Sequence, residues 1–83
     1  MFDRQQSVRR ARVADLSSTD VTVTEPTRAL YIGGTGGNLI VELVDDPSGT
    51  TTTYVVAAYS RHDLRVRKIV KSGTTATPIV MEW

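Results

Sequence analysis

Ser60, His62 and Asp63 stand within "SRHD" and carry the three groups of a hydrolytic relay. A nucleophile, a base and an orienting carboxylate must converge in space beside an oxyanion hole. Neighbours along an extended segment point in different directions, so the stretch is expected to be a solvated turn between two strands. Asp45 and Asp46, followed by Pro47, could start a hard-cation site, yet no further spaced carboxylates complete an oxygen shell. Paired acids before Pro-Ser-Gly read as turn residues. Cysteine is absent and histidine occurs once, which removes disulfides, thiolate metal sites and imidazole clusters together. The expectation is no catalytic residue, no metal and no cofactor, hence no enzyme.

The glycine-rich stretch "YIGGTGGNL", Tyr31 to Leu39, invites a phosphate-loop reading. Such a loop needs its glycines where a strand runs into a helix, so that backbone N–H groups face the anion. Here Gly37 is followed by "NLIVELV", which alternates as a strand, and no Gly-Lys-Ser or Gly-Lys-Thr ending is present. Glycines between two strands supply positive φ, so the stretch is expected to be a hairpin turn.

The elements that must position these residues are strands. "DVTVTE" alternates Val21 and Val23 with threonines until Pro26 stops it. "RALYIG" has strand length, and "NLIVELV" puts Leu39, Val41 and Leu43 on one face. "DDPSG" is a turn, and "TTTTYVVAAY" is threonine-rich and β-branched. In "LRVRKIVK" the alternation slips at Lys68, and a β-bulge near Arg67-Lys68 would restore it. "SGTT" turns the chain into "TPIVMEW", with Ile79, Met81 and Trp83 in phase. About six short strands with turn signals between them predict an all-β antiparallel sandwich or jelly-roll-like barrel over residues 20–83.

The first 19 residues, polar and arginine-rich, are expected to form an extended N-terminal arm that orders against a neighbour. The opening "MFDRQQSVRRARVADL" lacks the apolar core of a secretion signal, and no apolar run approaches the roughly 20 residues that span a bilayer. The expectation is a soluble protein made in the cytoplasm, with no membrane partner. A chain of 83 residues buries only roughly 60% of the surface its unfolded form exposes. With disulfides and metals removed, oligomerisation is the compensation left.

Net charge is +1, and its distribution says more than its size. Arg4, Arg9, Arg10 and Arg12 crowd the arm, Arg61, Arg65, Arg67, Lys68 and Lys71 form a second cluster, and Glu42, Asp45 and Asp46 collect acid. Opposed patches on a nearly neutral chain suit subunits that dock on one another. Arg9, Arg10 and Arg12 are candidates for acidic groups on a larger surface, and Arg65, Arg67 and Lys68 for lateral pairs with Asp45 and Asp46 of a neighbour. Met81 and Trp83 are candidate interface anchors; Trp83 equally could complete the chain's own core. A single-stranded nucleic-acid-binding barrel is the reading from another class, with Tyr31, Tyr54 and Tyr59 as stacking platforms. The near-neutral balance speaks against it.

Two stretches carry a family likeness: "TRALYIGGTGGNLIVEL", Thr27 to Leu43, and "LRVRKIVKSGTTATPIVMEW", Leu64 to Trp83. Their order resembles the spike base proteins, small virion proteins of tailed phages and gene transfer agents. Gly73 to Thr77 and the Trp83 ending are the most specific part. The resemblance implies an all-β subunit in a symmetric ring, a pentamer by preference, at a capsid vertex beneath a head spike or fibre. It implies as partners identical copies, the major capsid protein and the spike or fibre protein, and implies a place on the virion. A cement or decoration protein is the same kind of role, and a tail-associated adaptor is the near alternative. The polar "DDPSGTTTTYVVAAYSRHD" and the arginine-rich arm depart from the family's pattern.

Overall fold

The structure, a computed structural model, describes residues 8–83. Their strands are β1 Ala11–Val13, β2 Val21–Thr22, β3 Ala29–Thr35, β4 Gly37–Leu43, β5 Thr52–Val56, β6 Ser60–His62, β7 Val66–Ile69 and β8 Thr77–Glu82. The described residues contain no helix. Two four-stranded antiparallel sheets result, in the orders β1-β8-β3-β6 and β2-β7-β4-β5.

The chain reaches this order by one manoeuvre. β1 pairs with β8, β2 with β7, β3 with β6 and β4 with β5. All four nested pairings are centred close to Asp46, so the chain is a long hairpin whose tip is the "DDPSG" turn. Wrapping that hairpin brings β3 against β8 and β4 against β7, which closes the sheets. Nested pairing wrapped into two sheets is the eight-stranded jelly roll. The all-β sandwich expected from the alternation is what forms, with eight strands rather than six. The extra ones are short edge strands whose partners lie far away in sequence.

The tip itself follows turn chemistry. Thr50 N–H donates to Pro47 O over 3.0 Å, and Gly49 sits at φ +89°. That conformation admits glycine at little cost.

The glycine-rich stretch is not a hairpin. β3 belongs to one sheet and β4 to the other, and they do not pair. Gly36 is the corner where the chain changes sheets, as bends and bulges at corners allow. Opposite β8, one extra residue enters β3 between Ile32 and Thr35, on the glycines themselves. A Cβ on Gly36 would come within 2.6 Å of Val56 O and 2.8 Å of Ala58 N. The need is close approach of two backbones, not a tight turn. Local sequence shows the glycines in either case; only the pairing partners tell them apart.

The bulge expected on the basic strand is present. Glu42 faces Lys68 and Leu43 faces Val66, so Arg67 is the extra residue. It lets Val66 and Ile69, three positions apart, both point inward and become fully buried. They meet Leu39, Val41 and Val56 of their own sheet and Leu30, Ile32, Ile79 and Met81 of the other. "SRHD" is also not a turn: Ser60–His62 is the edge strand β6, opposite Leu30 to Ile32.

Two polar devices tie the layers together. Thr27 is fully buried; its hydroxyl donates to Leu64 O at 2.8 Å and accepts from Val66 N–H at 3.1 Å. The "SGTTA" loop serves β4: Thr75 Oγ1 accepts from Asn38 N–H at 2.9 Å and Thr74 Oγ1 from Ile40 N–H at 3.1 Å. Side-chain hydroxyls thus serve the part of β4 that lies beyond its pairing with β7.

The expected arm lies partly on the sandwich. Ala11, Arg12 and Val13 register with Glu82, Met81 and Val80. Ala14 N–H reaches Ile79 O at 2.8 Å, and Ala14 and Leu16 pack against the core. The rest of that expectation, including Arg4, falls on residues 1–7 and lies outside the described residues.

Candidate functional site

The end of the sandwich where β8 finishes gathers three of the charged residues singled out above, Arg9, Arg10 and Arg65. Arg9 N–H donates to Trp83 O at 2.6 Å, and Trp83 N–H donates to Arg10 O at 2.8 Å. These bonds extend the β1–β8 pairing and set Arg9 and Arg10 beside the terminal indole. Trp83 Nε1–H donates to Glu25 O at 2.7 Å, while the Arg10 guanidinium lies 4.7 Å above the ring and 2.6 Å from Glu25 Oε1. Arg65 precedes β7 on the same end, where its carbonyl accepts from Val44 N–H at 2.9 Å. Arg9, Arg10, Arg65 and Trp83, with Glu25, Pro26 and Arg28, line a cavity of about 380 Å³.

Other expected residues are committed within the chain. Arg67 Nε donates to Glu42 Oε1 at 3.0 Å, Nη1 to Val44 O at 3.1 Å and Nη2 to Asp46 O at 2.7 Å. Lys68 Nζ lies 3.5 Å from Glu42 Oε2 and 3.9 Å from Asp20 Oδ2. The bulge brings both cations onto Glu42, which is only 5% exposed. The Arg67 hydrogen bond, then the positive charge of Lys68 and Arg67, hold the Glu42 carboxyl below its ordinary range against the opposing effect of burial. Arg67 and Lys68 are therefore engaged within the chain. Met81 is 2% exposed and belongs to the chain's own core. Its in-phase position, read as an interface anchor, is instead the inward face of β8.

Asp45 is exposed at the hairpin tip, and Asp46 is half-buried with its carbonyl on Arg67. Arg12 is exposed on β1 and lines a separate groove of about 300 Å³ with Arg10, Val21, Val23 and Met81. Glu25 and Arg28 were not singled out from sequence, since their only signals were a strand stop and a strand start. Glu42 had a signal: it is an acid inside an apolar strand, paired across from the slip in a basic one.

Ser60 and His62 do touch, contrary to the turn reading. Residues two apart on a strand share a face, and Ser60 Oγ lies 2.8 Å from His62 Nε2. Ser60 Oγ also donates to Ala57 O at 2.6 Å. Its one proton is thereby used, so His62 Nε2 must donate to Ser60 rather than accept from it. That is the reverse of a nucleophile–base pair. Among the described residues, no group of three or more His, Cys, Asp and Glu side chains could hold a metal ion. No helix among them is long and apolar enough to cross a membrane.

No family model matches the sequence, and no curated protein does either. Among solved structures, the chain is similar to a chain of a gene transfer agent capsid, "Capsid of native GTA particle computed with C5 symmetry". The TM-score is 0.69 at 33% identity, covering 93% of this chain and 84% of that one. At that identity and coverage the chain belongs to that family: it is a capsid-related protein of phages and gene transfer agents.

Proposed function

We propose that this protein is a non-enzymatic structural component of a tailed-phage or gene-transfer-agent virion. It is seated as a symmetric oligomer on the capsid and serves as a spike base or as vertex cement. The observation that carries this reading is the likeness, over nearly the whole chain, to a chain of a gene transfer agent capsid. The fold supports it physically. Eight short strands around a small core leave charged edges and ends available, and such subunits gain stability by docking on copies and neighbours.

In this reading the residues ahead of β1 act as the arm, and Arg9 and Arg12 meet acidic groups of the capsid, while Arg10 is engaged with Glu25. Arg65 is the remaining candidate for lateral pairs with Asp45 and Asp46 of a neighbouring copy, since Arg67 and Lys68 are engaged. Pairs of that kind on an exposed rim set orientation and contribute about 0–1 kcal/mol each. A pentameric ring suits a capsid vertex, with the major capsid protein below and a spike or fibre above.

The test is the place and copy number of the chain in a particle by cryo-EM, together with capsid attachment of a chain lacking residues 1–10, which keeps β1. The expected result is a ring at the vertex and weakened attachment on truncation, with the β1–β8 pairing intact. A chain that stays monomeric at high concentration and ignores capsids would overturn the reading.

A further inference from the structure

Four arginines, Arg9, Arg10, Arg28 and Arg65, line one cavity of about 380 Å³ whose lining holds a single side-chain carboxylate, Glu25. That carboxylate is already 2.6 Å from Arg10. Arg28 is itself engaged. Arg9 and Arg65 are exposed and, among the described residues, neither is within ion-pair distance of a carboxylate. Gathering like charge against the apolar walls of Trp83 and Pro26 focuses a positive potential into the opening.

We infer that this cavity is a carboxylate-binding site that takes an acidic stretch of a partner protein, with Arg9 and Arg65 as its forks. Guanidinium can match carboxylate geometry with two parallel hydrogen bonds, and the cavity's own Arg10 already holds a carboxylate oxygen, Glu25 Oε1, at 2.6 Å. A nucleic acid fits less well. Base stacking needs an open aromatic face and a polyanion needs a broad basic field. Here one face of Trp83 is covered by Arg10, the indole N–H is spent on Glu25 O, and the whole chain carries only +1. The inference deepens the capsid reading and rests on it only for the partner being a virion protein.

Trp83 is the sole tryptophan, so its emission reports on this site alone. The experiment titrates the full chain with hexaglutamate, with hexaglutamine, with inorganic phosphate and with a single-stranded oligonucleotide. A saturable change with hexaglutamate, absent with hexaglutamine and weakened by salt, is expected. Arg9→Gln and Arg65→Gln should each weaken it about five-fold or more, as loss of a charge-assisted bond requires. Lys71→Gln, outside the cavity, should leave it unchanged. No difference between hexaglutamate and hexaglutamine overturns the inference without any variant. Tighter binding of phosphate or oligonucleotide than of hexaglutamate overturns it in favour of a phosphate site. Capsid attachment by a chain that ignores hexaglutamate removes the site and leaves the capsid reading standing; hexaglutamate binding without capsid attachment does the reverse.

Discussion

Arg67 Nε lies 3.0 Å from Glu42 Oε1, across two strands that fall out of register at that point. The bulge that inserts Arg67 aims its guanidinium along the end of β4, where it also holds Val44 O and Asp46 O. One side chain therefore fastens the basic strand, the apolar strand and the hairpin tip. Arg67→Ala removes all three bonds and strands Glu42 with Lys68 alone. The expected loss is about 2–3 kcal/mol, or about 10–20 °C in Tm for a domain of this size, read by thermal melting. Arg67→Lys should recover only part of it, because an ammonium cannot span three acceptors in this fork.

The same pair sets an acid sensitivity. The Glu42 carboxyl is held below its ordinary value of 4.5, chiefly by the Arg67 hydrogen bond. A lowered carboxylate contributes stability that is present above the unfolded value and is lost as pH falls through the folded one. Wild type should therefore lose Tm as pH drops below about 4.5. Glu42→Gln should begin less stable at neutral pH and lose less on acidification. Equal slopes in the two proteins would contradict the assignment.

Gly36 and Gly49 separate two reasons for glycine. Gly36→Ala drives a Cβ into the backbone of Val56 and Ala58, which cannot yield as a side chain would. Its cost should exceed about 2 kcal/mol. At Gly49 nothing lies within 4 Å, and only the positive φ is at stake. Gly49→Ala should cost about 1 kcal/mol, the usual penalty of the left-handed region. Denaturant midpoints of the two variants check the order.

Thr27→Val keeps volume but removes the hydroxyl that serves Leu64 O and Val66 N–H. A buried N–H left without an acceptor costs about 1–3 kcal/mol. Hydrogen exchange at Val66 should speed up more than at Val41, if the loss is local to that end of β7.

The β character of the chain was legible because period-two alternation is a local property, carried by Leu39, Val41 and Leu43 without reference to partners. The bulge was legible for the same reason: one basic residue in an apolar phase demands an extra residue somewhere nearby. The glycine corner was not. "YIGGTGG" permits both a hairpin and a change of sheet, and the difference lies in whether β4 or β8 and β6 stand beside β3. Ser60 and His62 misled by the opposite route, since strand geometry joins them while the proton on Ser60 is used by Ala57.

Residue order alone determined an all-β chain, its turn at Asp46, its bulge and the lack of cysteine. Tertiary structure decided which charges are spent and which are left. Arg67 and Lys68 read like Arg9 and Arg65 in sequence, yet pairing across β4 and β7 places the first two on Glu42. Meeting of the start of β1, the end of β8 and the β2–β3 and β6–β7 connections places the others around a cavity beside Trp83. The reason is physical: charge is written residue by residue, but its neutralisation depends on distances that only the folded chain sets.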